Sequence, residues 1–157
     1  MPDFIGRPND FAFLAGHWHV ANRRLRRRLA GCDDWDRFDA TMQGWSLLDG
    51  GVSVDEIHFP TQGFSGCTVR TLDRAAQRLA IYWINSRNGQ LFPPVFGGFA
   101  GERGEFFGDD EDAGRAVKVR FVWTRLGPDA AHWEQAFSLD TGAWETNWVM
   151  EMRRVAA

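Results

Sequence analysis

The chain has 157 residues, a formal net charge of -3 and a sequence pI of about 5.8. That balance argues against a general nucleic-acid binder or an anionic-membrane binder, since both carry a basic excess, and no stretch approaches the ~20 apolar residues of a membrane-spanning helix. The length predicts one domain over 1–157, able to bury ~68–70 % of the surface its unfolded form exposes.

Residues 1–9, with Pro2 and Pro8, read as a loose arm. Asn9 or Asp10 can cap a short helical turn holding Phe11, Phe13 and Leu14, which would plug one end of a barrel. A first long strand is expected over 17–29, with Trp18, Val20, Asn22 and Arg24 on one face. The arginine run 23–28 invites a phosphate-binding hypothesis. Beyond a turn at Ala30-Gly31, however, lie Asp33, Asp34, Asp36 and Asp39. A self-paired hairpin is the preferred reading, each cross-strand pair contributing only ~0.2–1 kcal/mol.

Further strands are expected over 35–48, 52–59, 64–72 and 79–87. In the third, Asp55, Ile57 and Phe59 oppose Glu56 and His58. In the fifth, Ile81, Trp83, Asn85 and Arg87 alternate with Tyr82, Ile84 and Ser86. Asn88-Gly89 turns the chain. Phe92-Pro93-Pro94 cannot lie in a central strand and is placed at a barrel mouth. Segments 95–100 and 104–109 are short and glycine-rich, suited to sharp bending or close approach. Residues 109–112, all acidic, read as a turn.

From 116 to 154 the alternation is strongest. Val117, Val119, Phe121 and Trp123 oppose Lys118 and Arg120; Trp133 and Phe137 oppose His132 and Glu134; Trp148, Met150 and Met152 oppose Asn147 and Glu151. The joints are 126–129 and Asp140-Thr141-Gly142. The pattern predicts an all-β fold: a single antiparallel up-and-down barrel of about eight to ten strands with a short N-terminal helical plug.

Eight Trp and thirteen Phe suit half-buried strands and pocket walls. With the apolar faces inward, the candidate ligand-binding residues are Trp18, Asn22, Arg24, Phe59, Trp83, Asn85, Arg87, Phe121, Trp123, Gln135, Trp148 and Met150, and Thr146 shares that face. Buried charge must be paired, so Arg87 and Asp55 should pair with each other, hold a ligand group or sit at a wet rim. Asp55, Glu56 and Tyr82 are the candidate catalytic residues: a carboxylate base, and a hydroxyl to stabilise negative charge. Tyr82 falls on the outward face unless the register slips by one.

Metal and nucleophile motifs are weak. His17 and His19 form a His-x-His without a third ligand in spacing. Ser65-Gly66-Cys67 is no nucleophile elbow, and Gly98–Gly104 is followed by a strand, unlike a phosphate loop. No metal and no cofactor are indicated. Cys32 and Cys67 read as reduced thiols, and no leader pattern opens the chain, so a cytoplasmic location is expected.

Phe13-Leu14-Ala15-Gly16-His17-Trp18 carries a Gly-x-Trp at the start of the first strand, similar to the opening signature of lipocalins and other calycins. That resemblance implies a Trp at the closed end beneath a basic residue of the last strand, here Arg153 or Arg154. The wider pattern, with CDDWDRFD, IYWINSRNG, GEFFGDD, VRFVW and WEQAFSLDTGAWETNWVM, resembles a family of bacterial proteins of uncharacterised activity with a lipocalin-like barrel. Nitrobindins, haem-binding relatives in that superfamily, are similar in size. Their Gly-x-Trp-x-Gly opening and near-terminal His are not matched, since His19, Val20 and Ala21 follow Trp18 and the nearest histidine is His132.

The leading expectation is a protein that binds one small, largely apolar ligand, aromatic or acyl, in the lumen. One alternative is an enzyme using that cavity for proton transfer, isomerisation or cyclisation of an aromatic or polyketide-like substrate. Another is a homodimeric interaction module with a filled lumen, using Trp35, Trp45 or Trp144.

Overall fold

In the computed structural model, which describes residues 2–140 and 142–156, the alternating segments close into one ring of ten strands. They are β1 (Gly16–Leu25), β2 (Trp35–Leu47), β3 (Val52–Phe59), β4 (Phe64–Asp73), β5 (Arg78–Asn85), β6 (Val95–Ala100), β7 (Arg103–Asp112), β8 (Arg115–Gly127), β9 (Ala130–Ser138) and β10 (Glu145–Val155). Each pairs antiparallel with its neighbours in sequence, and β1 pairs with β10. Each strand is paired on both sides, β5 with β6 only through residues 79–81 and 95–97. No helix among the described residues is long and apolar enough to cross a membrane.

The period of two decides what is buried. In β2, Phe38, Ala40 and Met42 are buried while Arg37, Asp39, Thr41 and Gln43 are exposed. In β3, Asp55, Ile57 and Phe59 point inward and Glu56 and His58 outward. The calycin-like barrel that the resemblance implies is the observed architecture.

One end is plugged. A 3-10 turn at Ala12–Leu14 brings Phe11 inside, with ring centroids 5.2 Å from Phe99, 5.7 Å from Phe106 and 5.9 Å from Trp123. Trp18 is fully buried there, and its Nε1 donates to the Leu14 carbonyl at 3.1 Å. Arg154, its register partner on β10, lies over the indole at 4.4 Å. It donates to the carbonyls of Ala15 (2.5 Å), Phe13 (2.8 Å) and Pro128 (3.2 Å). Of the two arginines the Gly-x-Trp resemblance offered, Arg154 takes the position.

Several expectations are corrected. The N-terminal arm is tied down: Ile5 bridges Phe99, and the Gly6 and Asn9 amides donate to Gln77 and Gly50. Neither Asn9 nor Asp10 caps the 3-10 turn; Asp10 accepts the Arg7 amide and faces Arg125 at 3.5 Å. β1 stops at Leu25, because the next nine residues form a loop with Leu29 and Gly31 at positive φ. The arginine run therefore divides. Arg26 meets Asp34 and Asp36, Arg24 turns inward, and Arg28 crosses to Asp112 on β7 at 2.7 Å.

β7 extends through 109–112, so the acidic segment is strand rather than turn; the turn is Ala113-Gly114, both at positive φ. β5 ends at Asn85, leaving Arg87 in the following loop. The glycines of β6 admit backbone, not ligand: a Cβ at Gly97 would sit 1.8 Å from the Glu105 carbonyl oxygen, and one at Gly98 2.3 Å from Ile5. Thr141 lies outside the described residues.

Candidate ligand-binding site

Inside the barrel is a cavity of about 250 Å³, opening at the end opposite the plug. Its apolar wall comes from alternate residues of five strands: Ile57, Ile81, Trp83, Phe121, Trp133, Phe137, Trp148 and Met150. The rings brace one another. Phe121 meets Trp133 edge-on at 5.1 Å, and Trp133 meets Trp148 at 5.8 Å. Such packing holds indoles against the wall instead of across the lumen. Trp148 is held further by its Nε1, which donates to Asn22 Oδ1 at 2.9 Å.

Polar groups gather at two levels. Deep in the cavity, Arg70 on β4 donates from Nη2 to Asp55 Oδ2 at 2.6 Å and from Nη1 to Ser53 Oγ at 3.2 Å. Its guanidinium lies 5.0 Å from the Phe11 ring and 5.4 Å from the Trp123 ring. Burial pushes the Asp55 carboxyl above its ordinary range, against the pull of the Arg70 charge and hydrogen bond. Two donors here, Arg70 Nε and Trp123 Nε1, are buried without a protein partner.

At the mouth stand Arg24, Arg28, Asn85 and Arg87, with Asp109, Asp110, Glu111 and Asp112. Arg24 lies over the Trp148 ring at 4.5 Å. Arg87 is exposed, stacks on Phe64 at 4.1 Å and donates to the Gln62 carbonyl at 3.1 Å. The loop after β1 folds against this end: Arg28 holds Asp112, and the Leu29 amide donates to Glu145 at 2.6 Å.

The carboxyl of Asp110 is pushed up by burial, with the charges of Glu111 and Asp112 adding to it. A carboxyl raised above its unfolded value binds its proton more tightly in the folded state. Its contribution to stability is complete below the ordinary value of 3.8 and is lost as pH rises through the folded value. Asp110→Asn removes that loss. Thermal melts against pH should show the variant above wild type at neutral pH, with the gap closing below about pH 4. A pH-independent gap would contradict the assignment.

Of the sequence-stated ligand residues, Arg24, Trp83, Asn85, Arg87, Phe121, Trp123, Gln135, Trp148 and Met150 line the cavity. Trp18, Asn22 and Phe59 do not. Trp18 belongs to the plug; Asn22 is buried as the acceptor for Trp148; Phe59 is packed among Phe38, Phe64 and Trp148. Thr146 precedes a bulge between Thr146 and Trp148 that resets the alternation. The bulge buries Asn147, whose Oδ1 accepts from Gln135 Nε2 at 2.9 Å.

The candidate catalytic set is not brought together. Asp55 faces the lumen, but Glu56 points to solvent beside His58 at 3.3 Å. Tyr82 alternates with the lumen-facing Ile81 and Trp83 and lies on the outer wall. Asp55 and Arg87 do not pair either, since Asp55 takes Arg70. His19 stands outside with Asp39 at 3.4 Å, and among the described residues no three metal-ligating side chains cluster. Both cysteines are free, with Cys67 on the outer wall of β4. Trp45 is exposed, whereas Trp35 and Trp144 are half-covered by Arg23 and by Phe107 with Arg120.

Sequence reasoning missed Thr68, Arg70, Arg28, Asp110 and Asp112. A signal for two of them existed. Gly66, Thr68 and Arg70 share one face of β4, but that face lacks the apolar stripe that marks an interior.

No family model matches the chain, and no curated protein matches it. Among solved structures, the S-type phycobiliprotein lyase CpeS from Guillardia theta is similar, with a TM-score of 0.40 and 10% identity over 94% of this chain and 91% of that one. A likeness of that degree carries nothing about chemistry, so any function for this barrel rests on its own residues.

Proposed function

We propose that the barrel binds one small, largely apolar ligand, aromatic or acyl, in its lumen. A single observation carries this reading: the lumen is open. Eight tryptophans and thirteen phenylalanines could fill a small barrel, yet a cavity of about 250 Å³ persists, walled by braced aromatics and bordered by a few polar groups. That composition is typical of small-molecule sites. A ligand losing ~200 Å² of apolar surface gains on the order of 5 kcal/mol, before association costs. The open lumen also speaks against the filled, purely structural barrel.

Gly66 tests the reading. It faces inward, and a Cβ there would lie 1.9 Å from Trp83 Cη2. Gly66→Ala therefore forces the Trp83 ring from its place on the wall while leaving the backbone conformation open to alanine. Titration with a neutral aromatic such as 2-naphthamide, followed by tryptophan fluorescence, should show affinity about tenfold weaker in the variant, or ~1.4 kcal/mol. Equal affinity, with an unchanged circular dichroism spectrum, would place the ligand outside the lumen.

A further inference from the structure

Arg24 is the least satisfied charge in the mouth. It lines the cavity, its Nε is buried without a hydrogen-bond partner, and it forms no ion pair among the described residues. The neighbouring cations are engaged. Arg28 holds Asp112 and the Leu25 carbonyl, and Arg87 holds the Gln62 carbonyl while stacked on Phe64. Of the nearby acids, Asp112 is shared between Arg28 and Arg115, and Asp110 receives the Glu111 amide at 2.7 Å.

The position of Arg24 is nonetheless built. Trp148, pinned by Asn22, supplies the aromatic face on which the guanidinium rests. The stacked guanidinium lies in the cavity lining, and its planar fork is the shape by which arginine recognises a carboxylate through two parallel hydrogen bonds. Burial, and then the charges of Arg28 and Arg87, lower the Arg24 pKa to about 10 against the opposing pull of Asp112 and Asp110, so it remains a cation at neutral pH. Asp112 and Asp110 lie near enough to act on its charge but neither bonds it, and a partly buried cation without a bonded anion is costly unless something supplies one.

We infer that Arg24 is an anion-recognition residue and that the ligand is an organic acid, seated with its carboxylate at the mouth on Arg24 and its apolar body against Trp148, Trp133 and Phe121. Arg87 and Arg28 add long-range attraction without bonding the carboxylate. This rests on the lumen-binding reading and adds the ligand's chemical class and direction of entry.

The experiment uses two matched pairs, 2-naphthoate with 2-naphthamide and decanoate with decanamide. Each is titrated by tryptophan fluorescence and isothermal calorimetry into wild type, Arg24→Gln, Arg87→Gln and the outer-wall control Arg37→Gln. At least one acid should bind wild type ten times or more tightly than its amide. That preference should vanish in Arg24→Gln and persist in Arg37→Gln and, weakened several-fold, in Arg87→Gln. A melt for each variant confirms folding, and Arg24→Lys, which keeps charge without the fork, should restore only part of the preference. Acid and amide binding equally, or a preference that survives Arg24→Gln, overturns the anion site and leaves lumen binding intact. Neither pair binding at all overturns both.

Discussion

Arg70→Met is expected to destabilise the protein by about 3–5 kcal/mol, the range for removing one partner of a buried ion pair. For a chain of this length, that is a fall in melting temperature on the order of 10 °C. Asp55 is only 2 % exposed, and it loses the Nη2 donor that holds it at 2.6 Å. Ser53 loses its donor as well. The carboxyl left behind can escape its desolvation only by binding a proton, so its pKa rises further. The variant's deficit should therefore be smallest in acid and grow as pH rises above the ordinary carboxyl value. The double variant Asp55→Leu, Arg70→Met should recover most of the loss, because apolar pairs of similar volume replace buried ion pairs at little cost. A single-variant loss below ~1 kcal/mol would show that the pair is solvated. Additive losses in the double would show that the two side chains do not act as a unit.

Arg154→Ala should be the next most damaging change, at about 2 kcal/mol. Three backbone carbonyls, of Phe13, Ala15 and Pro128, lose a charged donor, and the Trp18 ring loses the cation above it. The loss is local. Hydrogen exchange should quicken at the amides of Leu14 and Ala15, which close the 3-10 turn onto Phe11 and Ala12, before it changes in β7 or β8. Arg154→Lys should rescue only part, since an ammonium cannot reach several carbonyls with a planar fork. Uniform acceleration across the sheet would mean that the arginine supports the whole barrel rather than its plug.

The barrel was legible where alternation was clean. In β8, β9 and β10 the apolar residues fall on every second position, and Trp123, Trp133, Phe137 and Trp148 all emerge on the lumen side. Strand register in β3 was equally readable, because Ile57 and Phe59 pull Asp55 inward with them. The site was less legible for three physical reasons. β4 carries Gly66, Thr68 and Arg70 on its inner face, so polarity disguised an interior wall. The acids 109–112 disfavour strand by composition, yet their pairing with residues 115–118 of β8 keeps them extended through Asp112. The arginine run appeared as one solvated face. Only the fold separates Arg24, on Trp148, from Arg26, paired with Asp34 and Asp36, and Arg28, which reaches from its loop to Asp112 of β7.

The central claim is that the lumen holds one ligand molecule. Native mass spectrometry of the purified protein titrated with 2-naphthoate and decanoate tests it most directly. The account predicts that at least one acid gives a single adduct per chain that saturates, and that the adduct is depleted in Gly66→Ala. A protein that keeps its bare mass at every concentration of both acids, or that collects adducts without limit, would contradict it.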